Sequence, residues 1–486
     1  MDKSIIDKYE PVIGLEVHIQ LLTKSKAYCS DSTEFGAIPN TQISPISLGH
    51  PGTLPMVNKK VIEYAIRLGV ACNCSITKEN QYSRKNYFYP DLPKGYQISQ
   101  QSTPICTGGF LTINSNGGRK NKKVLLTRIH MEEDTGKSLH EQDPDYSLID
   151  LNRAGVALLE MVTEPVISNA DEAYSFVTEL RRLVRYLEIC DGNMEEGSMR
   201  CDANVSVRLK GDDKFGTKVE VKNMNSISNV HSAIEYEITR QIEAIESGEK
   251  LVQETRNFDA TQGKTFSMRT KESSDDYRYF PEPDLPPVIV TEKEVEKVKN
   301  SLPPLPDALY AKYTTEYKLN DYDASVLIDN KEFALWFEEL SKLTTNHKLA
   351  ANWMMGDVKS YLNENAVTID KFPLNPAHIA GIIALIDSGK VNNTIATQRI
   401  FPVLIKDPAK TAEDIAKEHN LVQESDTGVL EELIREAIAK YPDKVAEYKS
   451  GKSGLLGLFM GEVMKLSKGK ADPKKASVLL KEILEK

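Results

Sequence analysis

Apolar and polar residues alternate along two segments of the N-terminal half of the chain. In residues 13–21 every second residue, starting with Ile13, is apolar, and most of the residues between them are polar. Residues 199–209 alternate in the same way, and residues 218–222 resume the alternation after a loop with two glycines. Successive side chains of a strand point to opposite faces. The patterns therefore predict half-buried strands, the last two paired as an antiparallel hairpin.

Other segments have the period of a helix. Apolar residues recur every three or four positions in residues 170–189 and in residues 228–247, which stop at Gly248. Prolines cluster in residues 280–306, and beyond them the helical period takes over. Because proline blocks regular structure, the cluster predicts a domain boundary.

These patterns predict an α+β fold in three parts. Residues 1–292 form a large mixed domain with an antiparallel sheet, residues 293–406 a helical domain and residues 407–486 a small helical tail domain. Prolines near residues 401–408 suggest the second boundary. In the tail, Asp472 followed by proline predicts the start of a helix.

The composition excludes several classes of protein. The chain has 486 residues, 40% hydrophobic and 27% charged, which is typical of a soluble protein with several domains. The net charge of −10 excludes a uniformly basic nucleic-acid coat. No apolar run reaches ~18 residues and residues 1–10 hold no apolar signal core, so a cytoplasmic protein without membrane contact is expected. Six scattered cysteines exclude a disulfide framework.

The charge is unevenly distributed. Residues 440–486 contain eleven lysines and six acidic residues, a net charge of +5, so residues 1–439 carry −15. Lysines beside glycine turns on a helical module suit a phosphate backbone, although a solvated charged face would look the same.

Acidic residues and histidines share predicted strand faces. Glu16 and His18 are two residues apart, so their side chains leave one face ~7 Å apart at the backbone. In residues 128–136, alternation places Glu132 on the face of the neighbouring histidine, and Glu133 opposite unless the strand ends first.

A further acid, Glu220, lies on the polar side of the predicted hairpin. Carboxylates with one imidazole suit Mg²⁺, which usually accompanies a nucleotide phosphate. Solvated faces and turns are the alternative explanation for all of these acids.

Common nucleotide motifs are absent from the sequence. Gly-Lys-Ser/Thr occurs at residues 136–138, 263–265 and 451–453, without the glycine that a P-loop has five positions earlier. There is no G-x-G-x-x-G, G-x-S-x-G or H-E-x-x-H. An ATP site would therefore have to be built differently.

Several longer stretches resemble one known family, the B subunits of the glutamine-dependent tRNA amidotransferases. The matching stretches are VIGLEVH at 12–18, RKNYFYPDLPK at 84–94, HMEED at 130–134, DLNR at 150–153, MEEGSMRCDAN at 194–204, KNMNS at 222–226, DDYRYFPEP at 275–283, GEVMK at 461–465 and GKADP at 469–473. Because many ordered motifs match, the resemblance is specific.

The resemblance implies a carbon–nitrogen ligase that works with an amidase A subunit and a small C subunit. Such a B subunit binds misacylated Glu-tRNA(Gln) or Asp-tRNA(Asn). With ATP and Mg²⁺ it phosphorylates the side-chain carboxylate, and ammonia that arrives through a channel from the A subunit displaces the phosphate. The implied architecture is a cradle domain followed by two helical domains that bind tRNA. Which of the two amidated tRNAs is made stays open.

The resemblance also implies roles for individual residues. The candidate Mg²⁺ ligands are Glu16, His18, Glu132 or Glu133, and Glu220. Alternation favours Glu132 and the family pattern Glu133, so that choice stays open. Residues expected along the ammonia path or near the acceptor end, where a lysine of lowered pKa would pass protons, are Lys85, Tyr87 and Lys94. The candidate tRNA contacts are Lys465, Lys468 and Lys470.

The sequence departs from the family at one site. Many members carry four zinc-binding cysteines at positions that correspond here to Cys29, Asp31, Ser44 and Ser47. Because three thiols are missing, no structural zinc is expected.

Two other functions stay open at this point. The protein could be a non-catalytic scaffold that presents tRNA to another enzyme. It could also be a stand-alone metal-dependent kinase of a small carboxylic acid, which would leave the basic tail unexplained.

Overall fold

The computed structural model describes residues 2–114, 120–140, 142–270, 277–422, 427–467 and 471–485. The chain divides into two compact units, Met1–Leu309 and Tyr310–Lys486. The first unit contains the strands, and the second is helical in its described part. This arrangement confirms the predicted α+β class with a helical C-terminal region.

Most strands of the first unit join one large sheet. Its order is β15-β14-β13-β12-β1-β11-β8-β6-β2, with β7 paired to β8, and every pair is antiparallel except β13 with β14. A smaller sheet has the order β16-β4-β5. The strands are β1 Tyr9–Gln20, β2 Ser75–Ile76, β3 Glu79–Asn80, β4 Ser83–Asn86, β5 Tyr96–Ser99, β6 Cys106–Thr107, β7 Phe110–Asn114, β8 Lys120–Glu133, β9 Lys137–Leu139, β10 Leu148–Asp150, β11 Ala157–Thr163, β12 Met199–Leu209, β13 Val219–Lys222, β14 Glu254–Asp259, β15 Lys264–Thr270, β16 Phe280–Pro281 and β17 Val288–Ile289.

Helices α2, α3 and α4 pack on the large sheet, and α6 to α18 make up nearly all of the second unit. The helices are α1 Lys3–Ile6, α2 Lys59–Ala71, α3 Ala170–Tyr186, α4 Ile227–Glu246, α5 Glu292–Asn300, α6 Pro306–Thr315, α7 Asp321–Leu327, α8 Lys331–Leu343, α9 His347–Trp353, α10 Lys359–Glu364, α11 Pro376–Asp387, α12 Asn393–Ile395, α13 Phe401–Lys406, α14 Ala412–Glu418, α15 Thr427–Ala439, α16 Pro442–Lys449, α17 Leu456–Leu466 and α18 Pro473–Glu485. None of these helices, within the described residues, has the length and apolar character needed to cross a membrane.

The alternation read from the sequence explains the two faces of the large sheet. Ile13, Leu15 and Val17 of β1 are fully buried in the core of the first unit. The same core contains the apolar stripes of α3 and α4, whose first turns are capped by the side chains of Asn169 and Ser226. The opposite face of the sheet is polar. The predicted strands, hairpin and two helices are therefore confirmed.

A bulge at Thr127 changes the alternation within β8. Before the bulge the even-numbered residues Val124 and Leu126 are buried in the core, whereas after it the odd-numbered Ile129 and Met131 are. One extra residue in a strand shifts the side-chain period by one. The bulge therefore turns the even-numbered residues from 128 onward toward the polar face.

The helical tail has a core of its own. Buried residues from α15, α17 and α18, among them Leu430, Phe459 and Leu480, pack together. The predicted cap is present, because the Asp472 side chain accepts a hydrogen bond from the backbone N–H of Lys475 at 3.2 Å. Helix α14 packs on α11 and α13, so the segment that follows the predicted boundary at 407 begins with a helix of the preceding group. The three-domain division stays a prediction.

Candidate active site

The polar face of the large sheet forms the floor of a cleft with a volume of about 460 Å³. Strand register places the polar residues in rows across the sheet. His18 in β1 lies opposite Arg200 in β12 and Glu160 in β11, and Glu160 lies opposite His130 in β8. The residues that line the cleft include Glu16, His18, Lys85, Tyr87, Gln97, Arg128, His130, Glu132, Asp134, Glu160, Arg200, Asp202, Glu220, Lys222, Thr255, Tyr277 and Tyr279.

Three of these side chains converge at one point. His18 Nε2 lies 3.3 Å from a carboxylate oxygen of Glu160 and 3.8 Å from one of Glu132. One ligand atom from each of the three residues lies within 4.8 Å of the other two. Among the described residues, this is the one group of three or more acidic, histidine or cysteine side chains with that spacing. Burial would lower the pKa of His18, but Glu160, with help from Glu132, outweighs it and raises the pKa. Two carboxylates and an imidazole nitrogen that lie this close together can hold a cation.

Glu160 was missed by the sequence reasoning. It is the single charged residue in β11, a mostly apolar strand, and a lone acid among apolar residues was the available signal. Burial would raise the pKa of Glu160, but His130 and His18 hold it well below its usual range. His130 Nε2 lies 3.4 Å from Glu160, whereas His130 Nδ1 is buried without a hydrogen-bond partner among the described residues.

The adjacent Glu132 and Glu133 lie on opposite sides of β8. Glu132 points into the cleft, as strand alternation indicates. Glu133 points into a separate pocket of about 80 Å³, where it pairs with Lys94 and accepts a hydrogen bond from the backbone N–H of Ile98 at 2.8 Å. Only Glu132 of the two is close to His18 and Glu160.

Gly155 lines the pocket beside Glu133. Its φ is +86°, and a Cβ added there would meet Lys26 Cδ at 3.4 Å and Glu133 Oε2 at 3.7 Å. Lys26 is fully buried, and its Nζ donates to the carbonyl of Gln42 at 2.8 Å. Burial lowers the pKa of Lys26. Of the two lysines, Lys94 lines this pocket, away from the cleft.

Lys85 and Tyr87, two residues that the resemblance places along the ammonia path or near the acceptor end, line the cleft. Lys85 Nζ lies 3.4 Å from Glu132 and 5.2 Å from the centre of the Tyr277 ring. Burial would lower the pKa of Lys85, but Glu132 and Glu160 outweigh it and raise the pKa. The expected lowered pKa is therefore wrong for Lys85, because two carboxylates face it.

Lys85 and Tyr87 are positioned by an ion-pair network on the other side of β4. Arg84 donates from Nε and Nη2 to both carboxylate oxygens of Glu282, at 2.7 and 2.9 Å, and from Nη2 to Asp284 at 3.0 Å. The side chain of Glu282 is completely buried. The network fixes the hairpin of β4 and β5 to β16.

A second network fixes Arg200. Arg200 Nη2 donates to Asp134 at 3.0 Å, and Arg153 Nε lies 3.5 Å from the same carboxylate. Burial would raise the pKa of Asp134, but Arg200 and Arg153 outweigh it and lower the pKa. The sequence alone does not indicate a role for Arg200, since a polar position on a strand does not reveal which residues it faces.

The predicted ligands Glu16 and Glu220 reach the cleft but are held by other partners. Glu16 accepts a hydrogen bond from the Asn204 amide at 2.7 Å, and Glu220 accepts one from the Thr255 hydroxyl at 2.9 Å. Lys222 Nζ lies 3.4 Å from Glu220 and also pairs with an acid of β12. Neither carboxylate belongs to the group around His18.

The four positions at which the resemblance implies zinc ligands in other members of the family lie together. Ser47 donates a hydrogen bond to Asp31, and Cys29 Sγ and Ser44 Oγ lie 3.8 and 3.4 Å from Ser47 Oγ. Partial burial would raise the pKa of Asp31, but the hydrogen bonds from Ser47, Cys29 and Ser44 outweigh it and lower the pKa. The side chains at these four positions offer two hydroxyls, one carboxylate and one thiol.

In the tail, the structure places one of the three candidate lysines. Lys465 is exposed near the end of α17. Lys468 and Lys470 lie outside the described residues. Two other tail lysines, Lys440 and Lys444, pair with glutamates.

Two family models match the chain. Residues 11–296 match the "GatB/GatE catalytic domain", and residues 335–484 match the "GatB domain". The first match covers every residue that lines the cleft, and the second covers Lys465.

Curated relatives match over nearly their whole length. Aspartyl/glutamyl-tRNA(Asn/Gln) amidotransferase subunits B from Thermodesulfovibrio yellowstonii, Trichlorobacter lovleyi and Geotalea uraniireducens are 49%, 51% and 52% identical to the chain. The alignments cover 98–99% of this chain and 99–100% of the relatives. The prediction of a tRNA-dependent amidotransferase subunit is thereby confirmed: the chain belongs to the family of aspartyl/glutamyl-tRNA(Asn/Gln) amidotransferase B subunits.

Proposed function

We propose that the cleft is the site where this ligase subunit activates a side-chain carboxylate with ATP. The substrates are misacylated Glu-tRNA(Gln), Asp-tRNA(Asn) or both, and the amidase A subunit and small C subunit complete the enzyme. The carboxylate attacks the γ-phosphate, ADP leaves, and channelled ammonia then displaces the phosphate. The observation that supports this proposal is the convergence of His18, Glu132 and Glu160 on the floor of a polar cleft.

The donor set of this group fits Mg²⁺. Among the described residues, six carboxylates and four permanent cations line the cleft, and their charges sum to −2 when both histidines are neutral. His18, Glu132 and Glu160 would hold the ion, and Glu16 and Glu220 would approach it from the next rows. When bound, the ion would neutralise charge on phosphate and carboxylate oxygens.

The side chains around this group have electrostatic rather than nucleophilic tasks. Phosphoryl transfer to a carboxylate needs positioning and charge neutralisation more than a covalent nucleophile. Lys85 stays protonated because Glu132 and Glu160 raise its pKa, so it stabilises negative charge instead of accepting a proton. Tyr87 donates a hydrogen bond to Gln97 at 2.8 Å, which leaves its ring along the cleft wall.

Lys94 and Glu133 are proposed to serve the ammonia step. Gln97 lines the cleft and donates to the backbone carbonyl of Glu133, in the strand that forms the wall between the cleft and the pocket. Ammonia that enters the pocket would reach the activated carboxylate beside this wall. In the tail, Lys465, with Lys468 and Lys470, is proposed to contact the tRNA backbone.

The test compares adjacent carboxylates in the complex of all three subunits. We expect Glu132→Gln and His18→Ala to abolish phosphate release that depends on ATP and misacylated tRNA. We expect Glu133→Gln to retain it while glutamine-dependent amidation falls. Glu164→Gln, just beyond β11 and bonded to Thr127 at 2.8 Å, is the matched control.

Two results would contradict the proposal. If His18→Ala and Glu132→Gln release phosphate at the rate of the unaltered complex, the protein is a tRNA scaffold rather than the activating subunit. Activity without tRNA or partner subunits would indicate a stand-alone kinase. Assaying Glu-tRNA(Gln) and Asp-tRNA(Asn) separately identifies the product.

A further inference from the structure

Arg200 lies beside the group that the proposed function uses, yet it has no part in that group. It projects from β12 onto the cleft floor directly opposite His18 in the strand register. Its side chain is 32% exposed, in contrast to Asp134, whose side chain is 4% exposed. A guanidinium in this position faces the cleft instead of the core.

One edge of the Arg200 guanidinium is fixed. Nη2 donates to Asp134, and Asp134 is held in turn by Arg153, whose nitrogens donate to the carbonyls of Thr135 and Gly136 at 2.9 and 2.7 Å. A guanidinium has five N–H donors. Within the part of the protein that the structure describes, Asp134 is the one hydrogen-bond acceptor that Arg200 contacts, so the other edge remains available.

The other cations of the cleft are placed differently. Lys85 pairs with Glu132, and Lys222 pairs with Asp202 and Glu220. Arg128 lies on the same face of the sheet but in β8, three strands away from Arg200 in β12. Arg200 therefore combines a rigid anchor, free donors and a place in the row of His18.

We propose that Arg200 binds an oxyanion of the substrates during carboxylate activation. The oxyanion is either the side-chain carboxylate of the aminoacyl group or the terminal phosphate of ATP. A planar guanidinium matches either one through two parallel N–H···O bonds and stays charged at every working pH. The inference rests on the proposed function and adds the group that orients one of the two reactants.

The charges in the step explain why a fixed cation is useful there. A carboxylate oxygen forms a bond to the γ-phosphorus, the bond from phosphorus to the β–γ bridging oxygen breaks, and ADP leaves with that electron pair. No proton is transferred. Two anions must approach each other, and a preorganised guanidinium offsets their repulsion without reorganising.

The test uses the complete complex with ammonium chloride as nitrogen donor, so that glutamine hydrolysis is bypassed. Arg200→Gln and Arg200→Lys are compared with Arg208→Gln, a control eight residues along the same strand whose arginine pairs with Glu10. kcat and the KM for ATP and for misacylated tRNA are measured separately. Thermal unfolding shows whether each variant folds; if Arg200→Gln does not, Arg200→Lys, which keeps the charge beside Asp134, carries the test.

We expect Arg200→Gln to raise one of the two KM values by about 10- to 100-fold, the range of a lost charge-assisted hydrogen bond, and Arg200→Lys to raise the same one less. A raised KM for tRNA identifies the carboxylate, and a raised KM for ATP identifies the phosphate. If both variants keep kcat and both KM values within about twofold, the inference is wrong. An unaltered complex without ATP-dependent amidation would instead refute the proposed function.

Discussion

Removing Arg84 should loosen the hairpin that carries Lys85 and Tyr87. Arg84 is 19% exposed and Glu282 is completely buried, so Arg84→Met leaves a buried carboxylate without its main partner. Two charge-assisted hydrogen bonds of 2.7 and 2.9 Å are lost. At about 1.5–3 kcal/mol each they sum to about 3–6 kcal/mol, and buried pairs broken on one side typically cost about 3–5 kcal/mol.

Native-state hydrogen exchange measures this cost locally, which is necessary because a protein with two compact units need not unfold in one step. The amides of β4 and β5 should exchange at least ~100-fold faster in Arg84→Met, the equivalent of about 3 kcal/mol. Arg208→Met is the control. Its partner Glu10 is 37% exposed, so the change there should stay within about 1 kcal/mol.

A double variant separates the ion pair from the shape of the side chains. Arg84→Met with Glu282→Leu replaces both charges by apolar groups and should recover most of the lost protection, because no buried charge is left unpaired. The reasoning is refuted if Arg84→Met alone exchanges within about threefold of the unaltered protein, or if adding Glu282→Leu makes exchange faster still.

Three further outcomes are expected. Gly155→Ala should cost about 1–2 kcal/mol of stability, because φ is +86° and the new Cβ would touch Lys26. Glutamine-dependent amidation should fall more than ammonia-dependent amidation in this variant. An equal loss of both activities would show that Gly155 does not serve the ammonia path. The folded pKa of Asp31 lies below its ordinary value of 3.8, so the stability it contributes is present above that pH and is lost as pH falls through the folded pKa. The difference in unfolding free energy between the unaltered protein and Asp31→Asn should therefore shrink between about pH 5 and pH 3, and a constant difference would contradict the hydrogen bonds from Ser47. Asp472→Ala should destabilise the tail core by about 1 kcal/mol, seen as faster exchange in α18 but not in α3.

The sequence predicted the two faces of the large sheet because burial on one side imposes a period of two. Glu16 and His18 share the cleft for that reason, and Glu132 joins them because β8 continues through Glu133. Helices with one apolar stripe were predictable on the same physical grounds.

What could not be predicted depends on contacts between distant segments. Glu160 lies on β11, a strand that the sequence patterns did not identify, and the register of β1, β11 and β8 places it between His18 and His130. The raised pKa of Lys85 comes from Glu132, 47 residues away in the sequence. Alternation gives the face of a side chain but not its neighbours on the next strand.

Because of the bulge at Thr127, the cleft depends on the exact number of residues in β8. Thr127 is exposed, so most substitutions there should be tolerated. Deleting its single codon would instead remove the extra residue and exchange the two faces of the strand beyond it, burying the charged row among apolar side chains and exposing Ile129 and Met131. Natural variation at this position should therefore consist of replacements, with insertions and deletions excluded.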